Sequence, residues 1–149
     1  MIARAALLGA RGNSGMILSQ MVRGAADAIA DGGRVDADTA RAALRGASDT
    51  AYDAVRNPVE GTMLTVIRGL ADGAAASTAA TLDDLLIDAI TAGESTLAAT
   101  QEMLPQLKEA GVVDSGAYGV LLLVEGLAAA IAGRELASTA TQVAAPTIL

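Results

Sequence analysis

The sequence contains no cysteine, no histidine, no phenylalanine and no tryptophan, and only three prolines. Without cysteine there is neither a disulfide framework nor a thiolate metal site, and without histidine there is no imidazole base or ligand. Together the two absences remove Ser-His-Asp and Cys-His catalysis. Lacking Phe and Trp, a core has to be assembled from Leu, Ile, Val, Met and Ala. Basic residues are also scarce: ten in 149 residues, one of them a lysine, giving a formal net charge of −7 with the charges spread along the chain. A nucleic-acid footprint needs a basic stripe, and none is present, so no nucleic-acid partner is expected. No uncharged apolar stretch approaches the roughly 18 residues of a membrane span. The apolar run between Arg4 and Arg11 is too short for a signal peptide. A soluble, cytoplasmic protein is expected.

What the chain does have is alanine, which makes up much of the 52% hydrophobic fraction. Small side chains let helix axes approach closely, and the β-branched and aromatic residues favoured by a sheet are few, so the composition predicts an all-α bundle. Ile17, Met21, Ala25 and Ile29 recur at four-residue spacing and predict a helix over 14–30, ended by Asp31-Gly32-Gly33. A second helix is predicted over 38–55, its inner face made of Ala40, Ala43, Leu44, Ala47, Ala51 and Ala54. Met63, Ile67, Leu70 and Ala74 mark a third, and Leu82, Leu86, Ile90 and Leu97 a fourth, with AAASTAATL as the loop between them. Thr100 is the expected N-cap of a short helix through Ala110. The last helix begins near Ser115, and its run Val120 to Val124 is apolar on every side, which predicts the central and most buried helix. A domain over 1–134 and a disordered tail over 135–149 are expected.

Three stretches interrupt the helices with Gly beside Ser or Thr: GARGNSG (9–15), NPVEGTM (57–63) and DSGAYG (114–119). Each directly precedes a helix. A helix start carries free N–H groups and partial positive charge, so a Gly-rich approach with a hydroxyl is a ready anion site. For any one loop taken by itself capping is the favoured reading, with Ser14, Thr62 and Ser115 as N-caps and the glycines as C-caps of preceding helices. None of the loops fits G-x-x-x-x-G-K-[ST], and no strand precedes any of them, which rejects a P-loop.

The stretches LLGARGNSGMILSQMVRG (7–24), NPVEGTMLTVIR (57–68) and LPQLKEAGVVDSGAYGVLLLVEG (104–126) resemble the DhaL/DAK2 domain, the ATP-binding domain of dihydroxyacetone kinases. They are more similar still to its relative at the amino end of the bacterial fatty acid kinase A subunit. The resemblance spans about residues 5–133 and implies an antiparallel helical barrel with nucleotide bound at one end. It implies that Gly12, Asn13, Ser14 and Gly15 form the loop over the ATP phosphates. Thr62 and Met63 would line the nucleotide, and Asp114, Ser115 and Gly116 would close the other side. Tyr118 stands where a small residue is expected. ATP or ADP is the implied cofactor, with Mg2+ bound in the family by an upstream Asp-Gly-Asp-Thr-Gly loop.

That aspartate loop is absent from this sequence, which starts after the point where it belongs, so an N-terminally truncated domain is expected. Asp-Ala-Asp-Thr at 36–39 lies downstream instead of upstream and lacks the flanking glycines, so Asp36 or Asp38 is read as an N-cap. No metal ligand is assigned, and no catalytic residue. The resemblance implies a kinase whose acceptor is a fatty acid held by a separate fatty-acid-binding protein, with this chain alone inactive for want of the metal. A dihydroxyacetone (glycerone) kinase-type subunit is the alternative within that class. A non-catalytic helical module binding nucleotide or a partner protein is the reading from a different class. Missing helices would leave an apolar face, which predicts a homodimer. Glu60 and Asp114 are the carboxylates nearest the expected pocket, and Arg11 is a candidate phosphate contact or a solvated side chain.

Overall fold

The structure is a computed structural model that describes residues 1–29 and 33–134. Its regular elements are all helices: α1 (Ile2–Gly9), α2 (Gly12–Ile29), α3 (Ala37–Asp53), α4 (Met63–Ala76), α5 (Leu82–Met103), α6 (Pro105–Ala110) and α7 (Ser115–Ala132). The tail expected to be disordered, and the Asp31-Gly32 part of the expected helix stop, lie outside the described residues.

Helix starts follow local chemistry. Asp36 caps α3, accepting from the Thr39 amide at 2.9 Å, as one of the two aspartates considered for that role should. Thr62 caps α4. The alanine face of α3 is buried at Ala37, Ala40, Ala43, Ala47 and Ala51, whereas Ala54 falls outside the helix as its exposed C-cap. Small residues allow the closest approach in the molecule at the α2–α3 crossing. A Cβ on Gly24 would overlap the Gly46 carbonyl oxygen, and one on Gly46 would lie 2.5 Å from the Gly24 carbonyl oxygen.

Two expected boundaries move. The fourth helix does not stop near Leu97 but runs to Met103. Thr100 is therefore no N-cap: it is fully buried inside α5, its hydroxyl donating to the Leu97 carbonyl at 2.6 Å. The break comes at Leu104, held extended ahead of Pro105, which takes the first position of α6. Likewise α4 continues to Ala76, shortening the AAASTAATL loop to residues 77–81.

The centre of the molecule also differs from expectation. Eight of the 14 residues of α4 are buried, against four of the 18 of α7. The apolar run on α7 has no direction of its own, and neighbours decide which side is covered. α4 is flanked by α3, α5 and α7, whereas α7 packs mainly on α4 and α5. Its remaining side lines an apolar groove of about 350 Å3, with Leu123, Leu127 and Ile131 facing Met21, Ala25 and Ile29 of α2. Leu123, Leu127 and Ile131 stay 52%, 64% and 53% exposed. α7, interrupted by Glu125 and so not an uncharged stretch, is long and apolar enough to cross a membrane by length and composition alone; it is the one such helix among the described residues.

Candidate functional site

The starts of α2, α4 and α7 meet at a cleft of about 210 Å3. α2 contributes Ser14 and Ile17, the α3–α4 connection Val55, Asn57 and Val59, the start of α4 Thr62, Met63 and Leu64, and the start of α7 Asp114 and Gly116. Five of the residues singled out from the sequence thus share one wall or another of a single depression: Ser14, Thr62, Met63, Asp114 and Gly116. Gly12, Asn13 and Gly15 lie in the same first turn of α2 but do not line it, and Ser115 is exposed at the first position of α7. Tyr118 packs half-buried against the core and is not part of the cleft wall.

Backbone conformation explains why glycine breaks the chain where it does. Gly12 opens α2 at φ 67°, immediately after Ala10 leaves α1 in an extended conformation. An L side chain is strained there, and glycine is not. Gly61 sits at φ 87°, buried beneath Leu104 and Met103, where a Cβ would come within 2.9 Å of both. At Gly116 the space is the cleft itself: a Cβ would lie 3.2 Å from Asp114 Oδ2 and 3.7 Å from Met63 Cβ.

The capping assignments divide. Thr62 is an N-cap, its Oγ1 accepting from the Leu64 amide at 3.4 Å and donating to the Val59 carbonyl at 2.7 Å. Ser115 is not, because Asp114 takes that role: its Oδ2 accepts from the Ala117 amide at 2.8 Å. A carboxylate one residue earlier has the reach to the third amide, leaving the serine inside the first turn. Ser14 is no cap either, since α2 begins two residues before it. Arg11 does not line the cleft; its Nη1 donates to the Leu8 and Ala10 carbonyls at the end of α1.

Behind the cleft, a polar cluster grips the α3–α4 connection. Glu60 accepts from Arg68 at 2.8 Å, from the Thr65 hydroxyl at 2.7 Å and from the Tyr52 hydroxyl at 3.2 Å. Thr65, 4% exposed, in turn accepts from the Gly61 amide at 2.9 Å. The Arg68 guanidinium stacks 4.6 Å from the Tyr52 ring centroid. Burial by itself would raise the Glu60 carboxyl, but the hydrogen bonds from Thr65 and Arg68 and the arginine's charge outweigh it and hold the group below its ordinary value. Burial pushes the Tyr52 phenol up to about 12, against the opposing charge of Arg68. The sequence points to Glu60 as a carboxylate near the expected pocket but not to Tyr52, Thr65 and Arg68, which the eight-residue spacing of Tyr52, Glu60 and Arg68 does not advertise.

No group of three or more carboxylates is clustered to hold a metal ion among the described residues. Asp114 spends one oxygen on its cap, and Glu60, already held by three donors, does not line the cleft, so the described residues do not fit a magnesium site there.

The fold and the cleft define an all-helical domain in which the starts of three helices gather on one depression. The chain belongs to the DAK2 domain family, whose model matches residues 1–129, and it is thus a DhaL-type, kinase-related nucleotide-binding domain. It is similar to protein YloV of Bacillus subtilis, 43% identical over 137 residues that cover 91% of this chain and 25% of that protein. Uncharacterized protein SSP1546 of Staphylococcus saprophyticus is 40% identical over 134 residues, covering 89% and 24%. SERP0792 of Staphylococcus epidermidis is 39% identical over 136 residues, covering 90% and 25%. The chain spans about a quarter of the length of these curated relatives.

Proposed function

We propose that this chain is the ATP-binding part of a kinase most like the fatty acid kinase subunit, which phosphorylates a fatty acid presented by a separate fatty-acid-binding protein in the cytoplasm. The observation that supports it is the convergence of the α2, α4 and α7 starts on one cleft. Each start offers amides and a partial positive charge to phosphate oxygens. In this reading Ser14 adds a hydroxyl, with Gly12, Asn13 and Gly15 shaping its turn. Thr62 and Met63 hold the nucleotide, Met63 through a polarizable contact to the base. Asp114, Ser115 and Gly116 close the far side, Gly116 by leaving room. Pockets that enclose a drug-sized ligand run to about 300–1,000 Å3, so this smaller cleft would seat part of a nucleotide and leave the rest to its rim.

Because the residues present do not fit magnesium, the chain alone is expected to transfer phosphate poorly. A dihydroxyacetone-type acceptor and a non-catalytic nucleotide- or partner-binding module are the competing readings. Calorimetric titration with ADP, with and without Mg2+, separates the kinase readings from a partner-binding module: ADP binding is expected, and its absence under both conditions favours that module. Fast turnover of magnesium-ATP by this chain with an acyl-loaded partner would overturn the expected inactivity.

The homodimer belongs at the groove between α2 and α7, where Leu123, Leu127 and Ile131 are left uncovered. Light scattering should give a mass that rises with concentration and falls back when Leu127 is replaced by Glu. A monomer at every concentration rules it out.

A further inference from the structure

The α3–α4 connection carries three cleft-lining residues, Val55, Asn57 and Val59, and delivers Thr62 to the start of α4. It has no regular secondary structure, and the side chains behind it tie it to the flanking helices. Glu60 bridges the last turn of α3 through Tyr52 and the second turn of α4 through Arg68. Through Thr65 its influence reaches the main chain itself, since the same hydroxyl that donates to Glu60 accepts from the Gly61 amide. Glu60 does not line the cleft.

We infer that Glu60 is a positioning residue: with Arg68, Tyr52 and Thr65 it forms a clamp that fixes the Val59–Thr62 wall for nucleotide. This inference rests on the nucleotide reading above. Its physical basis is the cost of ordering. A free connection of this length must lose backbone freedom when a ligand arrives, whereas a clamped one has already lost it. Charge-assisted bonds at 2.7–2.8 Å are the strong members of their class, and Thr65 passes the constraint into the buried Gly61 peptide.

The test uses the whole chain with ADP as probe and amide hydrogen exchange as a ligand-free readout. In E60A, exchange at Gly61 and Thr62 should quicken about tenfold while the Ala117 amide, capped by Asp114, stays as in wild type; ADP affinity should fall about tenfold. E60Q keeps a single acceptor oxygen, which at the Oε2 position can serve Thr65 and Tyr52, but loses the charge and the acceptor facing Arg68, so it should fold like wild type and lose about threefold in affinity. R68K, which restores a charge without the stacked plane, should fall between wild type and E60A. Unchanged exchange in E60A means that no clamp exists. Faster exchange at wild-type ADP affinity means that the clamp positions nothing, and either outcome overturns the inference alone. A wild-type chain that binds no ADP overturns the nucleotide reading, and this inference with it.

Discussion

Replacing Gly24 by alanine should cost about 3 kcal/mol of stability and lower the melting temperature by about 10 °C, read by thermal unfolding followed through circular dichroism. The reason is local and steric. α2 and α3 cross with backbone against backbone, and a methyl on Gly24 has nowhere to go except into the Gly46 carbonyl oxygen and the Thr50 hydroxyl, with Cβ to Oγ1 at 2.5 Å. Carbonyls of a helix cannot rotate aside as a side chain end does, so the helices themselves must part. Parting them uncovers the alanine face of α3, whose burial holds this side of the core together. Gly119→Ala is the matched control. Gly119 lies inside α7 with nothing within 4 Å of its would-be Cβ, so alanine there should raise stability by about 0.5–1 kcal/mol through helix propensity and a less flexible unfolded chain. If both substitutions behave alike, the close crossing is not as described.

Gly116→Val should abolish nucleotide binding while leaving the fold intact. Its Cβ would sit 3.2 Å from Asp114 Oδ2 and 3.8 Å from Met63 Sδ. The two methyls beyond it then project into a cleft of only about 210 Å3. A loss of at least about 100-fold in ADP affinity, about 2.7 kcal/mol, is expected by calorimetry, with a melting temperature close to wild type. ADP bound at wild-type affinity by the folded variant would place the nucleotide somewhere other than this cleft.

Much of the architecture was legible because it is written in local chemistry. An alanine face at helical spacing, an aspartate three residues before a free amide and a threonine after a positive-φ glycine each state their role within a few residues. Thr62 and Asp36 were readable as caps for that reason. Asp114 and Ser115 are both good capping residues, and only the path of the backbone selects the aspartate. Thr100 looks like a cap in sequence, but at a buried position its hydroxyl closes back on Leu97 and the helix continues. The apolar run on α7 promised burial without saying on which side, and the groove left Leu127 and Ile131 uncovered. Among the carboxylates near the cleft, Glu60 was visible but its partners were not, because Tyr52 reaches it from the end of α3 while Thr65 and Arg68 reach it from α4.

The α2–α3 crossing has a mechanical corollary. α2 rests mainly on α1 and α3, and Ser14 stands ten residues from the point where Gly24 meets Gly46, an arm of about 15 Å at helical rise. A tilt of about 10° about that fulcrum would swing Ser14 by about 2.6 Å, whereas Thr62 and Asp114, seated on helices in mutual contact, would stay put. The width of the opening thus depends on how α2 is seated on α3, far from its lips, where two glycines touch.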